Sequence, residues 1–349
     1  MQTPPSILIV YTGGTIGMKQ NPQTGALSPF NFEQIEAEVP ELQKLGYTLS
    51  TCSFDPLVDS SDIMPDFWVK LAQLIADRYE QHDGFVVLHG TDTMSYTASA
   101  LSFMLGGLAK PVVLTGSQLP IGMIRTDGKE NLISAIEVAA ARHNGQPMVP
   151  EVCIMFQNRL YRGNRTTKHN ADHFNAFRSY NYPPLAEAGI SIKYNHTYIN
   201  CPNPQQKLSV QTHLDNSIAV LTLYPGISAQ YAQAVLSTQG LRALVLLTYG
   251  SGNSLSHKWF VDMLADAIAK GLIVLNVSQC QAGSVDMDKY DTGLILKKIG
   301  VVSGADITLE AAVTKLMFLL GSDLKQDSIK NALIKSISGE ISTPQTLQD

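Results

Sequence analysis

Short solid apolar runs alternate along the chain with stretches of helical spacing. Ser6–Tyr11 (SILIVY), 85–89 (FVVLH), 111–115 (PVVLT) and Val152–Phe156 (VCIMF) are apolar almost throughout. A run of that length without polar alternation predicts a strand buried on both faces. Between the runs, Phe67, Leu71, Leu74 and Ile75 recur at helical intervals after Pro65, and Gly84 is expected to close that helix. Further helices are predicted over 94–105 and 128–142. From 159 to 184 the chain turns polar, basic and aromatic with few helical signals, and 200–206 (NCPNPQQ) reads as a linker. Strands are then predicted at 218–223, Ala243–Thr248 and 272–277, with helices near 228–236, 256–270, 308–320 and 328–335. Repeated strand–helix–strand units predict an α/β fold with parallel sheets covered on both faces. The expected division is a larger N-terminal domain over 1–198, a linker over 199–214 and a smaller C-terminal α/β domain over 215–349.

Charge narrows the partners. Lys and Arg number 25 against 30 Asp and Glu, a net charge of −5 in 349 residues. That balance argues against nucleic acid and against a polybasic membrane patch. No apolar run approaches the ~18 residues of a membrane span. The cysteines Cys52, Cys153, Cys201 and Cys280 are far apart, with no CxxC pair, so neither a zinc ribbon nor a dithiol centre is expected. The first residues lack a basic region and a small-residue cleavage site. The expectation is therefore a cytoplasmic protein with reduced thiols.

In parallel α/β sheets, ligands bind beyond the carboxyl ends of the strands. The loops there read TGGTIG (12–17), GTDT (90–93), GSQLP (116–120) and RGNRTTK (162–168), and DSSD (59–62) precedes a predicted helix. Gly13, Gly14 and Gly17 have neither dinucleotide nor Walker spacing, and G-x-S-x-G is absent. Taken singly, each loop has an ordinary reading: a tight turn, a helix cap, a solvated lysine. Together they bring two threonines, a lysine and an aspartate to one sheet edge. A hydroxyl nucleophile needs a base, and a lysine of lowered pKa can be one. Glycine amides and helix amino termini can hold an oxyanion or a carboxylate. That chemistry suits hydrolysis of a small zwitterionic amide.

YTGGTIGM (11–18), DSSD (59–62), DGFVVLHGTDTMSYTASALSFML (83–105), PVVLTGSQLP (111–120), NRLYRGNRTTK (158–168), YPGIS (224–228), YGSGN (249–253) and SGAD (303–306) resemble the bacterial-type L-asparaginases, most closely the cytoplasmic type I enzymes. The resemblance runs through nearly the whole chain. It implies a two-domain asparaginase/glutaminase-like fold and hydrolysis of L-asparagine to L-aspartate and ammonia. It also implies a homodimer or dimer of dimers, and no metal or organic cofactor. By the same resemblance, Thr15 and Thr91 are the catalytic threonines, and Asp92 and Lys168 complete the second set. Asp59, Ser60 and Ser61 hold the substrate's carboxylate and amino group, and Ser117 lies where a backbone carbonyl meets the scissile amide. Asn253 reaches the site from a neighbouring subunit.

Two positions depart from the family pattern. A loop tyrosine that activates the first threonine is replaced by Ala26. Leu247 stands where some cytoplasmic members carry an arginine that grips an effector carboxylate, near the partly retained Ser278-Gln279-Cys280. A glutaminase-asparaginase of relaxed specificity and a non-catalytic amino-acid sensor on the same scaffold are the alternative readings.

Overall fold

Eight strands form the sheet of the first unit in this computed structural model, which describes residues 3–20, 27–29, 38–201 and 206–343. In chain order they are β1 (Ser6–Tyr11), β2 (Thr48–Ser53), β3 (Gly84–Leu88), β4 (Val112–Thr115), β5 (Val152–Phe156), β6 (Arg159–Arg162), β7 (Ala186–Ala188) and β8 (Ile192–Tyr194). Across the sheet the order is β8-β7-β6-β5-β4-β3-β1-β2. Every residue of β3, β4 and β5 is buried, as their solid apolar runs require. Among the described residues this unit has three α-helices: α1 (Pro65–Asp77), α2 (Met94–Met104) and α3 (Gly128–Ala140).

Two expectations need correction. Gly84 does not close α1, which ends at Asp77; a 3-10 turn over Tyr79–Gln81 intervenes and Gly84 opens β3. A Cβ on Gly84 would lie 2.5 Å from the Ala139 carbonyl oxygen, so this glycine serves the packing of α3 on the sheet. Nor is the sheet wholly parallel. After β5 the chain turns back through Gln157 at φ 58, and β6, β7 and β8 pair antiparallel. The arginines of RLYR mask a strand whose other residues are buried. β2 (TLSTCS) is polar because it is an edge strand with no buried residue.

The parallel strands run 2-1-3-4-5 across the sheet, with β1 hydrogen-bonded to both β2 and β3. The order reverses between β1 and β3, and such a switch point opens a crevice at the strands' carboxyl ends.

The chain divides into compact units at Met1–Thr212 and His213–Asp349. The expected linker 199–214 includes that boundary, with 202–205 outside the described residues. In the second unit β9 (Ile218–Thr222), β10 (Ala243–Thr248), β11 (Ile273–Ser278) and β12 (Val302–Ser303) pair in sequence, all parallel. Its helices are α4 (Ala229–Leu236), α5 (Lys258–Ala269), α6 (Asp291–Lys298), α7 (Leu309–Leu320) and α8 (Gln326–Leu333). Leu221, Leu244, Leu246, Phe260, Leu264 and Leu296 form its core. Sequence patterning missed α6, whose DTGLILKK carries too few apolar positions for a clear period.

Candidate active site

The loops beyond β1, β2 and β3 interlock at the switch point. Thr12 extends the β1–β3 pairing by one residue: both its N–H and its hydroxyl donate to the Leu88 carbonyl, at 3.0 and 2.9 Å. Gly13 (φ 134) and Gly14 (φ 91, ψ 169) then turn the chain through backbone open in practice only to glycine. A Cβ on Gly14 would lie 2.5 Å from Gly90 Cα, and one on Gly13 would strike the Val58 carbonyl. A Cβ on Gly90 would lie 2.5 Å from Ser60 Oγ. Thr15 and Thr91 thus each follow a glycine, and those two glycines are in contact. Tyr11 locks the first loop by donating its hydroxyl to the Gly17 carbonyl at 2.9 Å. Burial pushes that phenol up to about 12, so it stays a donor.

Thr15 is half-buried at the head of a 3-10 turn over Thr15–Gly17. Among the described residues its hydroxyl makes no hydrogen bond. Ala26, at the place of the family's tyrosine, lies outside the described residues.

Thr91, Asp92 and Lys168 meet. Lys168 Nζ donates to Thr91 Oγ1 at 2.8 Å and to Asp92 Oδ1 at 2.6 Å. The Lys168 side chain is 17% exposed and that of Asp92 62%. An ammonium only donates, so Thr91 Oγ1 accepts from Lys168 and sends its own proton to Gln118 Oε1, 3.3 Å away. Gln118 is a site residue that sequence reasoning passed over, although it sits beside Ser117 in a strand-end loop already singled out. Lys168 itself is presented by a short ladder, Thr167–Lys168 against Phe177–Arg178. Upstream of that ladder, the Arg162 guanidinium forks onto the Glu151 carboxylate at 2.6 and 3.3 Å, with both side chains buried.

Asp59 Oδ1 accepts from the Ser61 N–H and the Ser61 hydroxyl, both at 2.9 Å. The backbone bond and then the hydroxyl hold this carboxyl below its ordinary value. It is therefore a charged acceptor suited to an ammonium. Ser60 is buried and its carbonyl accepts from the Thr93 hydroxyl at 2.6 Å, which ties the second loop to the third. Ser117 is buried and donates its hydroxyl to the Leu119 carbonyl at 2.5 Å. Its side chain thus shapes its own loop. Asn253 belongs to the second unit, where its backbone pairs with Tyr249 and its Oδ1 accepts from the Thr292 hydroxyl at 2.9 Å.

Among the described residues no group of three His, Cys, Asp or Glu side chains is placed to hold a metal ion. No described helix is long and apolar enough to cross a membrane.

Known proteins carry the same pattern. Residues 6–200 match the family model for the asparaginase N-terminal domain, and residues 217–333 match that for the glutaminase/asparaginase C-terminal domain. L-asparaginase 1 of Escherichia coli is 45% identical over 337 residues, which cover 96% of this chain and 98% of that protein. The 60 kDa lysophospholipase of Mus musculus is 40% identical over 372 residues, covering 98% of this chain and 64% of that protein. The crystal structure of L-asparaginase I from Vibrio cholerae superposes with a TM-score of 0.88 at 42% identity, covering 97% of this chain and all of that one. Two family domains in tandem over most of the chain, together with the interlocked threonine loops, make this chain a member of the bacterial-type asparaginase family, on its type I branch.

Proposed function

We infer that this chain is an L-asparagine amidohydrolase that forms L-aspartate and ammonia in the cytoplasm. Thr15 Oγ1 attacks the side-chain carbonyl carbon, the C–N bond breaks, and the nitrogen leaves as ammonia with the proton that the Thr15 hydroxyl gives up, which Thr15 regains when its ester is hydrolysed. Water then hydrolyses the ester on Thr15, with Thr91 and Lys168 as the relay that takes its proton. Asp59 and Asp92 receive the substrate's ammonium, while Ser60, Ser61 and neighbouring amides receive its α-carboxylate. Ser117 contributes through its backbone, next to the scissile amide.

One observation carries this reading: Lys168 Nζ lies within hydrogen-bond distance of both Thr91 and Asp92, although 77 and 76 residues separate them in sequence.

The assembly in this reading is a homodimer or a dimer of dimers in which Asn253 serves a neighbour's site. Its support is the resemblance at YGSGN. One added methylene is worth only ~1–3 kcal/mol of discrimination in an apolar pocket, so slower hydrolysis of glutamine belongs to the proposal.

The test is ammonia release from asparagine and from glutamine, side by side, for the wild type, Thr15→Ala and Thr91→Val. Loss of a catalytic group costs several orders of magnitude. Activity within a few-fold of wild type in either variant removes that threonine from the mechanism. A wild-type chain that binds aspartate yet releases no ammonia would instead be a sensor.

A further inference from the structure

Directly beneath the Thr91 loop lies a hydrogen-bonded chain that the mechanism above does not use. His89 is fully buried. Its Nδ1 is 2.6 Å from the Gly90 carbonyl and its Nε2 is 2.9 Å from Thr97 Oγ1. Thr97, on α2, in turn accepts from the Trp68 indole N–H of α1 at 2.9 Å. Phe67 packs against the imidazole edge-on, with ring centroids 5.7 Å apart.

The proton positions follow from these contacts. Two acceptors cannot face each other across 2.6 Å, so Nδ1 carries a hydrogen and donates it to the Gly90 carbonyl. The ring has no carboxylate partner, and burial pushes it down to about 4, so it is neutral at physiological pH and Nε2 is bare. The indole can only donate, so Thr97 accepts from Trp68 and gives its own hydrogen to Nε2. The run Trp68→Thr97→His89→Gly90 therefore has one direction and one tautomer.

Gly90 is the residue on which Gly14 rests, and its carbonyl belongs to the peptide that ends in the Thr91 N–H. In a trans peptide the carbonyl and the N–H point in opposite directions. A carbonyl drawn inward to His89 therefore turns the Thr91 N–H outward, and among the described residues that N–H has no acceptor. We propose that His89 is a positioning residue: it clamps the Gly90–Thr91 peptide so that the Thr91 N–H and hydroxyl are presented together to the reacting amide. This deepens the proposed function and rests on Thr91 being catalytic.

Isosteres of the two ring nitrogens test it. Asparagine places an amide N–H near the position of Nδ1, whereas glutamine reaches only toward that of Nε2. His89→Asn keeps the donor to Gly90 and should hold kcat within about twofold of wild type. His89→Gln loses it and should lower kcat about five- to tenfold with little change in KM, because a misaligned group weakens transition-state more than ground-state interactions. If both variants lose kcat in proportion to their thermal destabilisation, the role is merely structural and the proposal falls. It falls equally if His89→Gln keeps wild-type kcat. Nitrogen-15 NMR of the wild type is independent of whether either variant folds: it should show Nδ1 protonated and Nε2 bare, and the opposite tautomer overturns the clamp. Thr91→Val separates the premises. An active Thr91→Val enzyme with the expected tautomer refutes the role of Thr91, whereas an inactive one with the opposite tautomer refutes that of His89.

Discussion

Replacing Gly14 by alanine tests whether contact between the two glycines sets the distance between the threonine loops. Two costs arise there. Gly14 lies at φ 91, ψ 169, a region essentially closed to residues with a side chain, and forcing one there costs ~1–3 kcal/mol. The new methyl would also lie 2.5 Å from Gly90 Cα and closer still to Gly90 N. That backbone is held from below by β3, and overpacking of this kind costs a further ~1–3 kcal/mol. Gly145 supplies the control. It too has positive φ (78), but a Cβ there meets nothing within 4 Å, so Gly145→Ala carries a positive-φ cost without a clash. If the Gly14 variant relieves its clash by moving the first loop outward, Thr15 retreats from Thr91, and a shift of about 1 Å costs ~10²-fold in rate. The expected outcome is a kcat/KM for asparagine reduced about 100-fold and a thermal midpoint clearly below that of Gly145→Ala. Matched activities and matched midpoints in the two variants would refute the idea that this contact spaces the loops.

Further expectations concern the lysine, a buried ion pair and regulation. Lys168→Met keeps the apolar stem but cannot carry a proton, so single-turnover hydrolysis should collapse while aspartate binding changes far less; an unchanged chemical rate would make Lys168 a purely electrostatic or structural group. In the second unit, Lys315 Nζ lies 2.6 Å from Glu340 Oε1 and donates to the Leu333 and Lys335 carbonyls, with both side chains wholly buried. Glu340→Gln strands that cation and should cost ~3–5 kcal/mol at pH 7 by denaturant titration. Burial lowers the Lys315 pKa from 10.5 and Glu340 pulls it back up. A lysine depressed in the folded state penalises folding below its folded pKa, and the penalty fades as pH rises toward the unfolded value. The deficit of Glu340→Gln should therefore shrink as pH rises toward the lysine's ordinary 10.5, and a constant deficit would contradict an ionic origin. Finally, Leu247 offers no fork to a carboxylate, and the Gln279 amide already donates to the Leu223 and Leu247 carbonyls at 2.7 and 2.9 Å. Two lost charge-assisted bonds, each ~1.5–3 kcal/mol, outweigh a typical effector coupling of ~1–3 kcal/mol. Asparagine kinetics should be hyperbolic, and a Hill coefficient above ~2 would show that other residues build an effector site.

Local pattern was enough for the elements whose environment is uniform. β1, β3, β4 and β5 are buried on both faces, so unbroken apolar runs announce them, and α1, α2 and α3 follow from the apolar stripes that cover them. The same strands locate the chemistry in advance, because a parallel sheet delivers every strand-end loop to one edge. TGGTIG and GTDT could therefore be grouped before any contact was known, whereas RGNRTTK follows the antiparallel β6, whose end lies beside Cys153 at the start of β5. Edges escaped this logic. β2 has no buried residue and β6 carries arginines, so neither shows the signature of a core strand, and Gly84 looked like a helix stop because its true constraint, the Ala139 carbonyl, comes from 55 residues away. Pairings that join distant residues needed the folded chain. Lys168 reaches Thr91 and Asp92 only because β6 turns back after β5 and sets up the short ladder that presents it. Gln118 accepts from the Thr91 hydroxyl, and His89 holds the Gly90 carbonyl, through bonds that leave no periodicity in the sequence. Hydrophobic burial repeats with the geometry of each element and so is written locally. The direction of a single hydrogen bond depends on which two loops meet, and the 2-1-3-4-5 strand order decides that by setting β1 beside β3.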